Sequence, residues 1–208
     1  MSRSTTAIAA ALSVLALGSP LVIASANPLA DNLFNSGVDK YKQGDYQGAI
    51  ADYTKAIEIN PQDVGAYTNR GLAKNGLKDY QGAIADYERA IEINPKLVLA
   101  YYNRGNANSN LKDYQAAIAD YTEAIEIDPE KGEAYGNRGN AKLGLGDSQG
   151  AITDYNKAIE IDPQHSPAYD NRGVSKYLLG DLKGVCRDWR KAADLGDERS
   201  AERVNNLC

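Results

Sequence analysis

Residues 64–97 read VGAYTNRGLAKNGLKDYQGAIADYERAIEINPKL, and this stretch decides the fold because it recurs along the chain. Its marks return every 34 residues: Pro61, Pro95, Pro129 and Pro163; the Asn-Arg-Gly triplets starting at Asn69, Asn103, Asn137 and Asn171; and Tyr53, Tyr87, Tyr121, Tyr155 and then Trp189. A fixed period of this length means a stack of similar supersecondary units, each covering its neighbour's apolar face. Such stacks serve as surfaces for holding other molecules.

Within the stretch, Tyr67, Gly71 and Lys74 share one helical face and begin a first helix, A. Asp79 is placed to cap a second helix, B, and recurs as Asp45, Asp113, Asp147 and Asp181. Ala83, Ile84, Tyr87, Ala90 and Ile91 follow helical spacing and form the buried face of B. Asn94-Pro95 stops it, because proline disfavours a helical residue before it. Gly71 and Ala83 recur as Gly37/Ala49, Gly105/Ala117 and Gly139/Ala151. A glycine inside a helix costs about 1 kcal/mol relative to alanine, so these positions are expected where a neighbouring backbone comes close. The 14 Tyr, against one Phe and one Trp, suggest half-buried rings with hydroxyls near solvent.

Tyr67, Gly71, Ala83, Tyr87, Ala90 and Pro95 match the consensus of the tetratricopeptide repeat (TPR) family, which the chain resembles. The resemblance implies an all-α, right-handed α-solenoid of helix-turn-helix units. It covers residues 30–199 as five units, 30–63, 64–97, 98–131, 132–165 and 166–199, with 200–208 completing a capping helix. Ala201, Val204 and Cys208 give that last helix a single apolar face. Two departures stand out: Arg70 and its equivalents replace the family's usual Leu before Gly, and Ser36 replaces that Arg in the first unit. Partly buried arginines are normally paired. The recurring Asp52, Asp86, Asp120 and Asp154 are expected to face the following unit, giving the pairs Asp52–Arg70, Asp86–Arg104, Asp120–Arg138 and Asp154–Arg172. On this scheme Ser36 lacks the Arg because no preceding Asp exists.

Residues 1–26 stand outside the repeats. Arg3, the apolar run Ala7–Leu17, the breakers Gly18 and Pro20, and Ala24-Ser25-Ala26 read as a secretory signal cleaved after Ala26. An uncleaved N-terminal anchor is the other reading. The expected destination is exported, periplasmic or extracellular, with a lumenal compartment as the alternative, and no membrane insertion of the mature chain is expected. The two cysteines fit that compartment. A hairpin turning near Gly196 brings Cys186 and Cys208 to similar heights, and an oxidising environment favours their disulfide over two buried thiols.

The net charge of -5 and pI of about 5.0 argue against nucleic acid, which requires a basic patch. Enzymatic residues are not assembled: His165, the sole histidine, lies in a loop between units, and no metal cluster, nucleophile motif or phosphate loop appears. No cofactor is expected. What remains is the inner face of helix A. In TPR proteins the stripe holding the second, sixth, ninth and thirteenth residues of a unit lines the concave groove. The sixth is Asn in every unit: Asn35, Asn69, Asn103, Asn137 and Asn171. Asn106, Asn110 and Asn140 extend the row, with Tyr102, Leu99 and Leu72 as apolar neighbours. Asn offers a donor and an acceptor, matching a peptide amide with two hydrogen bonds. The resemblance therefore implies an asparagine ladder for an extended peptide; the plain alternative is a tolerated polar residue copied by duplication. The family's carboxylate clamp lacks its cations here, since the matching positions carry Asp31, Gly65, Leu99 and Asn103. The expected function is a non-enzymatic protein–protein interaction scaffold, monomeric or weakly self-associating. The rivals are a structural, self-associating solenoid and an accessory subunit for an envelope assembly.

Overall fold

The computed structural model describes residues 27–208, so the expected signal segment lies outside the described residues. Eleven helices and no strand occur among the described residues. They alternate as A and B helices: α1 (Pro28–Lys42) and α2 (Tyr46–Ile59), α3 (Val64–Gly76) and α4 (Tyr80–Ile93), α5 (Val98–Asn110) and α6 (Tyr114–Ile127), α7 (Gly132–Gly144) and α8 (Ser148–Ile161), α9 (Ser166–Leu178) and α10 (Leu182–Asp194). A last helix, α11 (Glu198–Leu207), packs on α10. Each helix packs on its chain neighbours, and successive A helices also touch, so the core is a ribbon running along the stack.

Side-chain caps punctuate the ribbon. Asp45, Asp79, Asp113, Asp147 and Asp181 each accept a hydrogen bond from the backbone N–H three residues on, at 2.8–3.0 Å. At the other end of the B helices, Asn60, Asn94, Asp128 and Asp162 accept from the N–H two residues ahead, an Asx turn that seats the following proline. The A–B turn needs a left-handed residue. Gly44, Gly146 and Gly180 supply it without strain, whereas Lys78 and Lys112 adopt φ of 63° and 64°.

The tyrosines of the B helices are not half-buried. Tyr53, Tyr87, Tyr121 and Tyr155 are at most 1% exposed, and Trp189 is 6%. Their rings, not a neighbouring backbone, are what the helical glycines accommodate. A Cβ on Gly71 would stand 2.6 Å from Tyr87 Cε1, and one on Gly105 would stand 2.7 Å from Tyr121 Cε1.

The Asp–Arg pairs exist, but within units and not between them. Arg70 binds Asp86, Arg104 binds Asp120, Arg138 binds Asp154 and Arg172 binds Asp188, each through Nε and Nη2 at 2.6–3.2 Å. The expected pairing of Asp52 with Arg70 and its successors fails because the A and B helices of one unit are antiparallel and level along their length. The Arg therefore meets the carboxylate of its own B helix. The preceding B helix offers a hydroxyl or amide instead: Arg70 Nη1 reaches Thr54, Arg138 Nη1 reaches Thr122 and Arg172 Nη1 reaches Asn156. Ser36 accordingly marks a different solution for Asp52, to which Ser36 and Lys40 both donate at 2.6 Å. Burial pushes the Asp52 carboxyl up, but these donors and the Lys40 charge win and hold it below the usual carboxylate range. Lysines flank the other carboxylates as well: Lys74 at Asp86, Lys142 at Asp154 and Lys176 at Asp188, at 2.7–2.8 Å.

The cysteines behave as expected. Cys186 and Cys208 form a disulfide with Cα atoms 5.6 Å apart, tying the end of α11 to the first half of α10.

Candidate functional site

The inner stripe of the A helices resolves into two layers. The sixth-position amides lie low, between one unit and the unit before it. Asn69 and Asn103 are 0% and 4% exposed, so neither presents its amide to a ligand. Asn137 and Asn171 are half-buried, and their Nδ2 atoms donate at 2.9 Å to Asn106 Oδ1 and Asn140 Oδ1 of the preceding unit. Asn137 Nδ2 also reaches the Tyr102 hydroxyl at 3.1 Å. The ninth-position amides are the hubs. Asn106 Oδ1 and Asn140 Oδ1 each accept a second hydrogen bond, at 2.7 Å, from the buried hydroxyls of Tyr121 and Tyr155. A tyrosine of one unit is thus joined through its own Asn to the Asn of the next unit. This chain of amides is an inter-unit lock.

The lock is present only where the ninth position is Asn. Earlier in the chain that position holds Val38 and Leu72, which cannot accept. In keeping with this, the Tyr87 hydroxyl and Asn103 Nδ2 are buried without a hydrogen-bond partner, while Asn69 lies against the Tyr53 hydroxyl. Burial drives the hydroxyls of Tyr87, Tyr121 and Tyr155 far above the ordinary phenol range, so they act only as neutral donors or acceptors.

Above this floor opens a cleft of about 310 Å³, lined by Asn75, Asn106, Ser109, Asn110, Tyr121, Asn137 and Asn140. Its lining carries no charge. Asn110 and Asn140 are exposed at its rim, and Asn75 contributes a buried Oδ1 without a partner. Because Asn140 Oδ1 is taken from two sides, the amide of Asn140 has its N–H₂ to offer to the cleft. The arginines play no part. Each is spent on a carboxylate, and each guanidinium also covers a tyrosine ring of its own helix, Tyr67, Tyr101, Tyr135 or Tyr169, at 5.3–5.6 Å. His165 begins α9 as a half-buried cap residue whose side chain makes no capping bond. Among the described residues no group of three His, Cys, Asp or Glu is placed to hold a metal.

Of the sequence-predicted groove residues, the structure brings Asn106, Asn110, Asn137 and Asn140 to one cleft, with Tyr102 bonded to Asn137 and Asn171 to Asn140. Asn69 and Asn103 it places out of reach. Asn75 and Ser109 were missed; both are twelfth-position residues whose chemistry varies from unit to unit, so no periodic signal marked them.

Two tetratricopeptide repeat profiles match the chain, one over residues 98–131 and 132–165, the other over 37–76 and 77–112. The chain belongs to the tetratricopeptide repeat family. Solved structures similar to this TPR protein include MamA, with 26% identity over 79% of this chain and 96% of that one at a TM-score of 0.74. A MamA from Desulfovibrio magneticus RS-1, 22% identical, covers 84% of this chain and 97% of its own at 0.77. YrrB, described as a TPR protein with an unusual peptide-binding site, is 22% identical over 86% of this chain and 92% of its own at 0.73. These likenesses show the solenoid architecture. No curated protein matches the sequence significantly.

Proposed function

We propose that this TPR protein is a non-enzymatic scaffold that holds an extended polypeptide segment in its concave groove, chiefly across units three and four. The observation that carries the reading is the uncharged, amide-lined cleft around Asn106, Asn110 and Asn140. Asn106 and Asn140 present N–H groups whose oxygens are already committed, while Asn110 donates to the Asn106 main-chain carbonyl oxygen and presents its own Oδ1. Such donors and acceptors suit an extended backbone, with little demand on side-chain identity. TPR proteins generally bind proteins or peptides and lack catalytic activity, and the peptide-binding site named for YrrB lies on a similar solenoid. The test is site-specific photocrosslinking in native extract, with the photoreactive residue placed at Asn110 in the cleft or at Gln149 on the outer face of α8. Adducts from position 110 and none from 149 are the expected result; the reverse pattern sinks the proposal.

We further propose that the protein is exported. The residues 1–26 read as a cleavable signal, and the Cys186–Cys208 bond suits an oxidising compartment. Mass analysis of the protein recovered from its cells should find a chain starting at Asn27 and lacking two hydrogens. Recovery with Met1 and two free thiols overturns this.

A further inference from the structure

The outer stripe of the B helices changes character at the last unit. In α4 it reads Gln81, Ala85, Glu88 and Glu92, and in α8 Gln149, Thr153, Asn156 and Glu160, all exposed. The equivalent stripe of α10 reads Lys183, Arg187, Arg190 and Asp194, also exposed. Two of the carboxylates near these cations are engaged elsewhere, while Asp194 stands exposed at the far end of the stripe. Asp188 is buried under Arg172 and Lys176, and Asp181 caps α10. Arg190 reaches the main-chain oxygen of Cys208, the last residue, at 3.3 Å, so Lys183 and Arg187 are the cations of the stripe left to meet another surface. In an acidic protein this is a local reversal of charge.

The same end exposes apolar side chains. In units one and three the first residue of the B helix lies on the thirteenth residue of the next A helix: the Tyr46 ring on Gly76 and the Tyr114 ring on Gly144. In the last unit that first residue is Leu182, and α11 does not reach it. The disulfide fixes the end of α11 at Cys186, one helical turn past Leu182, so Leu182 stays 54% exposed. Leu178 and Leu179 beside it are 61% and 53% exposed, and Leu207, next to the disulfide, is 46%. A polar outer face is what the end of a solenoid ordinarily needs. The Gln and Glu of the inner units would provide it; protruding leucines beside the cations Lys183 and Arg187 do not.

We infer that this end of the solenoid docks on a membrane surface rich in anionic phospholipid. Lys183 and Arg187 would meet the headgroups, and Leu179 and Leu182, at the turn between α9 and α10, would enter the acyl boundary. The charge selects the occupant: cations adjoining an apolar surface fit an anionic interface. The leucines project from a tight turn, so they need a deformable apolar medium more than a fitted protein pocket.

The chain's only tryptophan makes the test local. Trp189 stacks on Tyr177, with centroids 6.3 Å apart, and Tyr177 is 50% exposed on this same end. Full-length protein is mixed at low salt with vesicles of brominated phosphatidylglycerol and phosphatidylcholine, or of brominated phosphatidylcholine alone, and Trp189 emission is followed. Because Trp189 is remote in sequence from residues 1–26, their own affinity for lipid does not give the signal. Quenching is expected on the anionic vesicles only. Lys183→Gln with Arg187→Gln should weaken it about 30-fold in lipid concentration, and Leu179→Ser with Leu182→Ser should abolish it. The helical circular dichroism of both variants should remain intact; if either unfolds, the remaining one and a salt titration carry the test. No quenching, equal quenching on neutral vesicles, or indifference to both variants overturns the inference. So does salt-sensitive binding to polyglutamate beads without vesicle binding, which assigns the face to an acidic polypeptide. Self-association lost in the same variants without lipid also overturns it, by assigning the face to a second copy.

Discussion

Removing the Asp154 carboxylate tests the lattice of ion pairs that replaces the family's usual leucine. Asp154 is buried, with its side chain 3% exposed, and it receives Arg138 Nε at 2.9 Å, Arg138 Nη2 at 2.7 Å and Lys142 Nζ at 2.8 Å. Asp154→Ala leaves two cations in place whose side chains are only 16% and 22% exposed. Breaking a buried pair by deleting one partner costs about 3–5 kcal/mol, because the remaining charge keeps its desolvation penalty and loses its compensation. Two stranded cations place this variant in the upper part of that range, reduced by whatever water reaches the lysine. Urea unfolding followed by circular dichroism measures the loss. A double-mutant cycle then locates it. Arg138→Ala combined with Asp154→Ala should show about 1–3 kcal/mol of coupling, as contacting residues do, whereas Arg138→Ala combined with Asp120→Ala should show about half a kcal/mol or less. Stronger coupling of Arg138 to Asp120 than to Asp154 would refute the within-unit pairing and restore the link between units.

Gly105→Ala should destabilise by about 1–3 kcal/mol in the same assay, since its methyl would meet Tyr121 Cε1 at 2.7 Å in a packed core. Lys112→Gly should raise the melting temperature, because a lysine at φ 64° bears a left-handed cost of about 1–2 kcal/mol that glycine escapes. Asp63 is 4% exposed, and burial pushes its carboxyl up against the N–H groups of Ala66 and Gly65, with the Asp31 charge adding to the rise. The folded state therefore holds this proton more tightly than the unfolded chain, and the favourable contribution is lost as pH rises through the folded value. Asp63→Asn keeps an N-cap and should raise the melting temperature at pH 7, with the gain shrinking below about pH 4. Reduction of Cys186–Cys208 should cost about 3 kcal/mol and free α11 first, seen as faster amide exchange over Glu198–Leu207 than over α10.

What the sequence made legible was whatever the repeat copies. The helix caps, the proline stops, the tyrosine row and the sixth-position asparagines are periodic, so a single unit reveals all of them. The cysteine pair was legible for another reason: a hairpin about Gly196 is a simple geometric construction. The arginine partners were misread because residue spacing alone cannot tell whether a helix meets its own partner or the preceding unit's; that depends on how the antiparallel pair is levelled. The burial of Asn69 and Asn103 was hidden too, because the same residue type sits at the same position in every unit. Whether that amide is buried or reachable depends on the ninth position of the unit before it, where Leu72 and Asn106 differ.

On the proposed reading, that ninth position ties stability to recognition in this stack. Where it is Asn, its oxygen satisfies a buried tyrosine and the next unit's amide, and in doing so fixes which way the side chain is turned. The N–H₂ of Asn140 is then committed to the cleft by the same bonds that join the units. Where it is Leu72, the Tyr87 hydroxyl and Asn103 Nδ2 have no acceptor, and where it is Val38, Asn69 lies against the Tyr53 hydroxyl instead; neither apolar side chain sets an oriented donor above the floor. A duplication event copies the scaffold without choosing between these outcomes. The groove is therefore a local property of the junctions among units three, four and five, and not of the solenoid as a whole. A ligand that demanded an oriented donor at every unit would find the first half of the stack unable to supply it.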